Sequence, residues 1–98
     1  MIITNAILTA YCACAICCGT SNGTKLTASG AIAQANHTIA ASRSIPFGST
    51  VIINGHRYTV EDRLAKRYDK RFDIYFNDHK EALKFGKQTN TIIVCVKK

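Results

Sequence analysis

Two carboxylates and a run of thiols are the residues in this chain whose types and spacing could do chemistry. Asp73 lies within Phe72-Asp73-Ile74-Tyr75-Phe76. If that run is a strand, alternation puts Phe72, Ile74 and Phe76 on one face and Asp73 with Tyr75 on the other. The apolar trio anchors a core, and the acid points away from it beside an aromatic ring. Such a pairing suits sugar chemistry, because a ring stacks on a pyranose face while the acid reaches the glycosidic oxygen. Asp62 ends the preceding β-prone run and comes near Asp73 if residues 63–71 fold back. Two close carboxyl groups drive one pKa upward, which a general acid near neutral pH needs. The plainer alternative is that both acids pair with Arg63, Lys66, Arg67, Lys70 or Arg71. Composition alone favours that alternative.

Four of the five cysteines are packed into Cys12-Ala13-Cys14-Ala15-Ile16-Cys17-Cys18. Cys14 and Cys17 have the C-x-x-C spacing that chelates a thiophilic metal or closes a disulfide. Cys12 and Cys18 would bring the set to the four thiolates of a structural zinc site. Zinc sites usually draw ligand pairs from two separate segments, however, and here all four fall within seven residues. Reduced thiols, disulfides and zinc all stay open, with the metal ranked behind the thiols. Cys95, in an apolar run, is expected to be a small core residue. His37, His56 and His79 fall in a loop, a turn and a helix start, a scatter that favours neither a histidine metal site nor a Cys–His nucleophile. Ser42 and Ser44 read as turn residues.

The elements that must position these groups are mostly strands. Residues 3–11 form one run, 19–30 a loop, and Thr38-Ile39-Ala40-Ala41 a short strand before a turn at Pro46 and Gly48. Thr50-Val51-Ile52-Ile53 and Arg57-Tyr58-Thr59-Val60 flank Asn54-Gly55, the strongest short hairpin signal, because a type I′ turn needs positive φ at both central residues. The basic segment 63–71 leads to the strand 72–76. Asp78-His79-Lys80-Glu81 has capping-box spacing, and Ala82, Leu83 and Phe85 give a short helix an apolar side before Gly86 stops it. Thr91–Val96 is a closing strand. Six or seven strands with one helix predict an all-β barrel, whose closure removes sticky edges.

Composition agrees with one small domain spanning 1–98. The chain has 98 residues, 47% of them apolar, which supports a compact core and excludes a disordered polyelectrolyte. Thirteen Lys and Arg against six Asp and Glu leave a charge of +7, pointing to an anionic partner such as nucleic acid, anionic lipid or cell-wall glycan. Met1–Tyr11 has no basic start, and Thr4, Asn5 and Thr9 interrupt its apolar residues, so neither an export signal nor a membrane span is expected.

Several spaced segments together resemble the 3D-domain family, named for three aspartates. They are Thr9-Ala10-Tyr11-Cys12, Cys17-Cys18-Gly19, Thr27-Ala28-Ser29-Gly30, Thr38–Ala41, Ile45-Pro46-Phe47-Gly48, Glu61-Asp62, Phe72–Phe76 and Glu81–Gly86, in the family's order. The likeness runs from about Thr9 to Val96 and extends to the catalytic barrel of membrane-bound lytic transglycosylase A and to stationary-phase survival proteins. It implies a double-psi β-barrel that cleaves peptidoglycan. Asp73 matches the family's catalytic acid/base and Asp62 its supporting aspartate. Ser42 stands where the first aspartate is expected, and Arg63-Leu64-Ala65 replaces a common Thr-Gly-Gly. The cysteine arrangement is similar to a compact phage and prophage branch. Synthesis in the cytoplasm, with access to the bacterial wall through lysis or a virion, is therefore expected.

The implied reaction is that of a lytic transglycosylase, a glycan-strand lyase that requires no cofactor. Tyr75 and Tyr11 are candidate stacking platforms, although packing suits Tyr11 equally. Arg63, Lys66, Arg67 and Arg71 are candidates to meet lactyl and stem-peptide carboxylates. A glycan-binding barrel without catalysis is the alternative that Ser42 and Arg63-Leu64 suggest. A nucleic-acid-binding module ranks third, because the basic residues lack interleaved aromatics apart from Tyr68 and Phe72.

Overall fold

A computed structural model describes residues 1–12, 27–64 and 71–97. Among these residues six strands run in chain order as β1 (Ile2–Tyr11), β2 (Thr38–Ala41), β3 (Thr50–Ile53), β4 (His56–Arg63), β5 (Arg71–Tyr75) and β6 (Gln88–Cys95), with one helix, α1 (His79–Phe85), between the last two. They close into a barrel in the order β1-β5-β2-β4-β3-β6, so each strand has two neighbours and no edge is left for edge-to-edge pairing. The all-β barrel with one short helix expected from the sequence is the fold observed. Two of its strand pairs, β1/β5 and β2/β4, are parallel. The connections β1–β2 and β4–β5, on which double-psi connectivity depends, include residues 13–26 and 65–70, outside the described residues.

Strand alternation fills the interior. Ala6 and Leu8 of β1, Ile39 and Ala41 of β2, Val51 and Ile53 of β3, Val60 of β4, Phe72 and Ile74 of β5, and Ile92 and Val94 of β6 form one buried cluster. Every strand contributes to it, as a small barrel with a side-chain-filled interior requires. Phe76 packs against this cluster from just beyond β5, so the predicted Phe72, Ile74, Phe76 face is the inner one.

The predicted hairpin is present. Asn54 and Gly55 have φ of 52° and 79°, and Ile53 pairs with His56 across the turn. Asp78 caps α1 by accepting from Lys80 N, one residue earlier than a capping box directs the bond, and the Gly86 N–H closes the other end on Ala82 O. Two strands are longer than the sequence suggested. Polar Gln88, Thr89 and Asn90 extend β6 because Leu8, Ile7 and Ala6 of β1 offer them hydrogen-bonding partners. Asp62 and Arg63 extend β4 because Ala40 and Ala41 do the same. Neighbours in the sheet outweigh weak local strand preference in both places.

Cys95 corrects an expectation. Ile92 and Val94 take the inward positions of β6, which leaves Cys95 half-buried on the outer face.

Candidate functional site

Asp62 and Asp73 reach one face of the barrel by different routes. On β5, Phe72 and Ile74 enter the interior, so Asp73 and Tyr75 face outward by simple alternation. On β4 the same alternation would send Asp62 inward after Val60. A register shift prevents this: Ile39 pairs with Val60, but the next residue, Ala40, pairs with Asp62. Glu61 is thus the extra residue of a β-bulge, and a one-residue bulge switches every following side chain to the opposite face. Leu64, two residues on, packs with the outward-facing Ala40 and Tyr75, which agrees with that switch. Ala40 also pairs with Asp73. The two aspartates therefore flank the same residue of β2, with Cα atoms about 10 Å apart, two strand spacings.

Their surroundings differ. Asp62 is buried, and it accepts from Tyr11 Oη at 3.2 Å, Ala28 N at 3.1 Å and Arg63 N at 2.9 Å. These donors fix its orientation and bind the segment after residue 27 to the barrel, where Ser29 N also donates to Glu61 O at 3.1 Å. Asp73 is half-buried and accepts from Thr9 Oγ1 at 3.0 Å, across the parallel β1/β5 pair in which Thr9 and Asp73 are register partners. Sequence reasoning missed Thr9. Its part follows from a parallel pairing between strands more than sixty residues apart, for which no local signal exists.

The two tyrosines are corrected from stacking platforms to packing residues. Their rings meet edge to face, with centroids 5.3 Å apart and planes at 70°, in a second cluster with Ala33 and Ala40. Tyr75 is only 3% exposed and Tyr11 8%, so neither ring face is open to a sugar. Edge-to-face pairs of this kind stabilise beyond their buried area.

Arg63 is engaged within the protein. Nη1 donates to Ser42 O at 3.3 Å, and the guanidinium lies 3.9 Å from the centre of the Phe47 ring. Its pKa is lowered, first by burial and then by the neighbouring charge of Arg43, with Asp62 acting in the opposite sense. Arg71 opens β5 opposite Ile7 and is half-buried. Lys66 and Arg67 lie outside the described residues. Ser42, at the position of the expected first aspartate, is buried in the turn after β2 with its hydroxyl 2.7 Å from that of Ser44. A cleft of about 550 Å³ is lined by Ile2, Ala6, Ser42, Ile45, Phe72 and Val94 among others, and neither Asp62 nor Asp73 lines it.

Of the cysteine run, Cys14, Cys17 and Cys18 fall outside the described residues. Cys12 is buried at the end of β1, with Sγ 3.5 Å from His79 Nδ1. The sequence did not favour a Cys–His pair. The parallel β1/β5 register creates this one, because it lays the residues after Tyr11 beside those after Tyr75. Among the described residues no three His, Cys, Asp or Glu side chains gather at one metal-sized point, and no helix is long and apolar enough to cross a membrane.

A half-buried acid held by a neighbouring hydroxyl can give up and regain a proton beside a bound ligand, and a fully bonded acid on the same face can hold the surrounding backbone. Comparison with protein-family models, with curated proteins and with solved structures finds no match to this chain.

Proposed function

We propose that this barrel is a lytic transglycosylase acting on the peptidoglycan glycan strand, with Asp73 as its acid/base. The observation that carries the reading is the convergence of Asp73 and Asp62 on one outer face, opposite a single residue, Ala40. The likeness of the spaced sequence segments to 3D-domain proteins supports it.

In this reaction protonated Asp73 donates to the oxygen linking MurNAc C1 to the next GlcNAc, and that sugar leaves as oxocarbenium character develops. The resulting carboxylate accepts the proton of the MurNAc C6 hydroxyl, whose oxygen closes on C1 to give the 1,6-anhydro sugar. The proton lost in the first half is regained in the second, so one acid suffices. No water attacks, and the carboxylate-separation rule of glycoside hydrolases does not apply. Thr9 holds the Asp73 carboxyl by donating to Oδ1 at 3.0 Å. Asp62 acts at one remove, through the backbone at Ala28 and Arg63.

The test is digestion of purified peptidoglycan. Wild type should release 1,6-anhydro-muropeptides and Asp73→Asn should not, while both give the same circular dichroism spectrum. The amide keeps the shape of the acid but can neither donate nor regain the proton, a loss of at least about a hundredfold. A second reading, a glycan-binding barrel without catalysis, is favoured by the burial of both tyrosines and by Ser42 at the first aspartate position. Retention on insoluble peptidoglycan with no anhydro product from wild type would establish it instead.

A further inference from the structure

At one end of the barrel the inward-facing alternation runs on past the filled core. Ala6 of β1 and Val94 of β6 belong to the core cluster, so Ile2 on β1 and Val96, just beyond β6, continue the same inward side. Ile2 is nevertheless 52% exposed and Val96 42%. Both line the cleft of about 550 Å³, together with Ala6, Phe72 and Val94 of the core and Ile45 from the turn after β2. That volume lies within the range of about 300–1,000 Å³ of sites that take small organic ligands. An apolar chain seated there extends the core and covers two aliphatic side chains that now meet water.

The cleft also has a polar, cationic end. Ser42 and Ser44 line it, and their hydroxyls are 2.7 Å apart. That bond uses one of the two hydroxyl hydrogens and leaves the other to donate. Arg43 stands between the two serines in sequence, and Arg63 donates to Ser42 O at 3.3 Å. Burial and then the charge of Arg43 lower the Arg63 pKa, so the two guanidiniums are within electrostatic reach of each other. Among the described residues neither forms an ion pair with a carboxylate. Two cations and a spare hydroxyl hydrogen complement an anionic head group, and the net charge of +7 draws such ligands in.

We propose that this end of the barrel binds a single-chain anionic amphiphile, an alkyl carboxylate dispersed in water, with its tail against Ile2, Ile45 and Val96 and its head at Ser42 and Ser44 beside Arg43 and Arg63. Neither Asp62 nor Asp73 lines the cleft, so binding is independent of glycan cleavage.

The full chain is titrated with octanoate, decanoate and dodecanoate below their micelle concentrations, followed by calorimetry and methyl NMR. One equivalent should bind saturably, with the largest shifts at the methyls of Ile2, Ile45, Val94 and Val96. Each step of two methylenes should tighten binding about tenfold, as burial of both requires. Arg43→Gln should weaken decanoate binding about three- to fivefold, the effect of one exposed ion pair, and leave decanol binding unchanged. Val96→Asp, at an exposed position beyond β6, should keep the circular dichroism spectrum and weaken both ligands about tenfold. The wild-type titration needs no variant, and absence of saturable binding would overturn the site. Shifts concentrated at Ile3 and Leu83, exposed apolar residues outside the cleft, would mean unspecific adsorption and overturn it too. Equal loss of decanoate and decanol in Arg43→Gln would overturn the anionic head group. A dimer in sedimentation that Val96→Asp dissociates, or capture on anionic vesicles without saturable decanoate binding, would give the surface to a second copy or to a membrane instead.

Discussion

Asp62 and Asp73 are both strand partners of Ala40, one on each of the strands that flank β2. They share a face but not a role, because Asp62 is bonded to Tyr11, Ala28 and Arg63 while Thr9 holds Asp73. Replacing each should separate the two roles. Asp62→Ala leaves three donors to find new partners, two of them on the backbone, and should cost about 2–4 kcal/mol in urea unfolding. Tyr11→Phe should cost about 1 kcal/mol, and the double variant should cost clearly less than the sum because both singles break the same bond. Strict additivity would mean that the 3.2 Å contact contributes nothing in solution.

Thr9 should behave as a positioning residue for the proposed reaction. Thr9→Val removes the hydroxyl but keeps the branched strand-forming shape, and release of anhydro-muropeptides should fall about tenfold, the loss of one charge-assisted hydrogen bond. Thr9→Ser keeps the donor and should recover most of the rate. Equal loss in both variants would mean that packing, not the bond to Asp73, is what matters. The pH–rate profile gives a further check, since loss of the bond should displace the limb belonging to Asp73, which a purely structural defect leaves in place.

The Glu61 bulge tests how the site is built. Deleting Glu61 removes the bulge and restores uniform alternation on β4, with Val60 still facing inward and Asp62 still facing outward opposite Ala40. The deletion variant should therefore stay folded by circular dichroism and size exclusion, and its unfolding would mean that β4 needs the extra residue itself rather than the direction it gives Asp62. Glu61→Ala keeps the residue count and should stay folded. It loses only the bond from Thr38 and the 3.6 Å contact with His37.

That bulge marks where the sequence stops being readable. The Asn54-Gly55 hairpin, the Asp78 and Gly86 helix ends and the inward set Phe72, Ile74 and Phe76 follow from local preference and period, and the structure has all of them. The outward direction of Asp73 follows from the same period. Asp62 does not: nothing in Val60-Glu61-Asp62 announces an extra residue, because a bulge is defined only against a partner strand. Thr9 and His79 were hidden for a related reason, since both meet their partners through the parallel β1/β5 register. The tyrosines looked available because alternation gives a direction and not a cover. Ala33, brought from the loop before β2, helps to bury them.

Tyr58 gives the alkaline side of stability a definite sign. Burial raises its phenol above the usual 10.0, so the unfolded chain ionises first as pH rises. Its contribution is complete below about pH 10 and is lost as pH climbs through the folded value. Tyr58→Phe should therefore leave the urea midpoint near neutral pH almost unchanged and flatten its decline above about pH 10. A decline equally steep in the variant would place its origin in other groups.

Arg63 distinguishes a residue that binds glycan from one that holds the barrel together. Its guanidinium lies over Phe47 and donates to Ser42 O, so it ties β4 to the turn that follows β2. A cation over an aromatic ring contributes about 0.5–2 kcal/mol depending on exposure, and the bond to the carbonyl adds to that. Arg63→Gln should thus lower the melting temperature by several degrees, the response of a domain of this size to a change of about 1 kcal/mol. Retention on insoluble peptidoglycan at a temperature where the variant is folded should match wild type. Arg63→Lys keeps the charge but loses the planar fork, and should be destabilised nearly as much. If Arg63→Gln instead melts like wild type and elutes from peptidoglycan at lower salt, Arg63 leaves Phe47 to meet the anionic glycan, and it belongs to the binding surface after all.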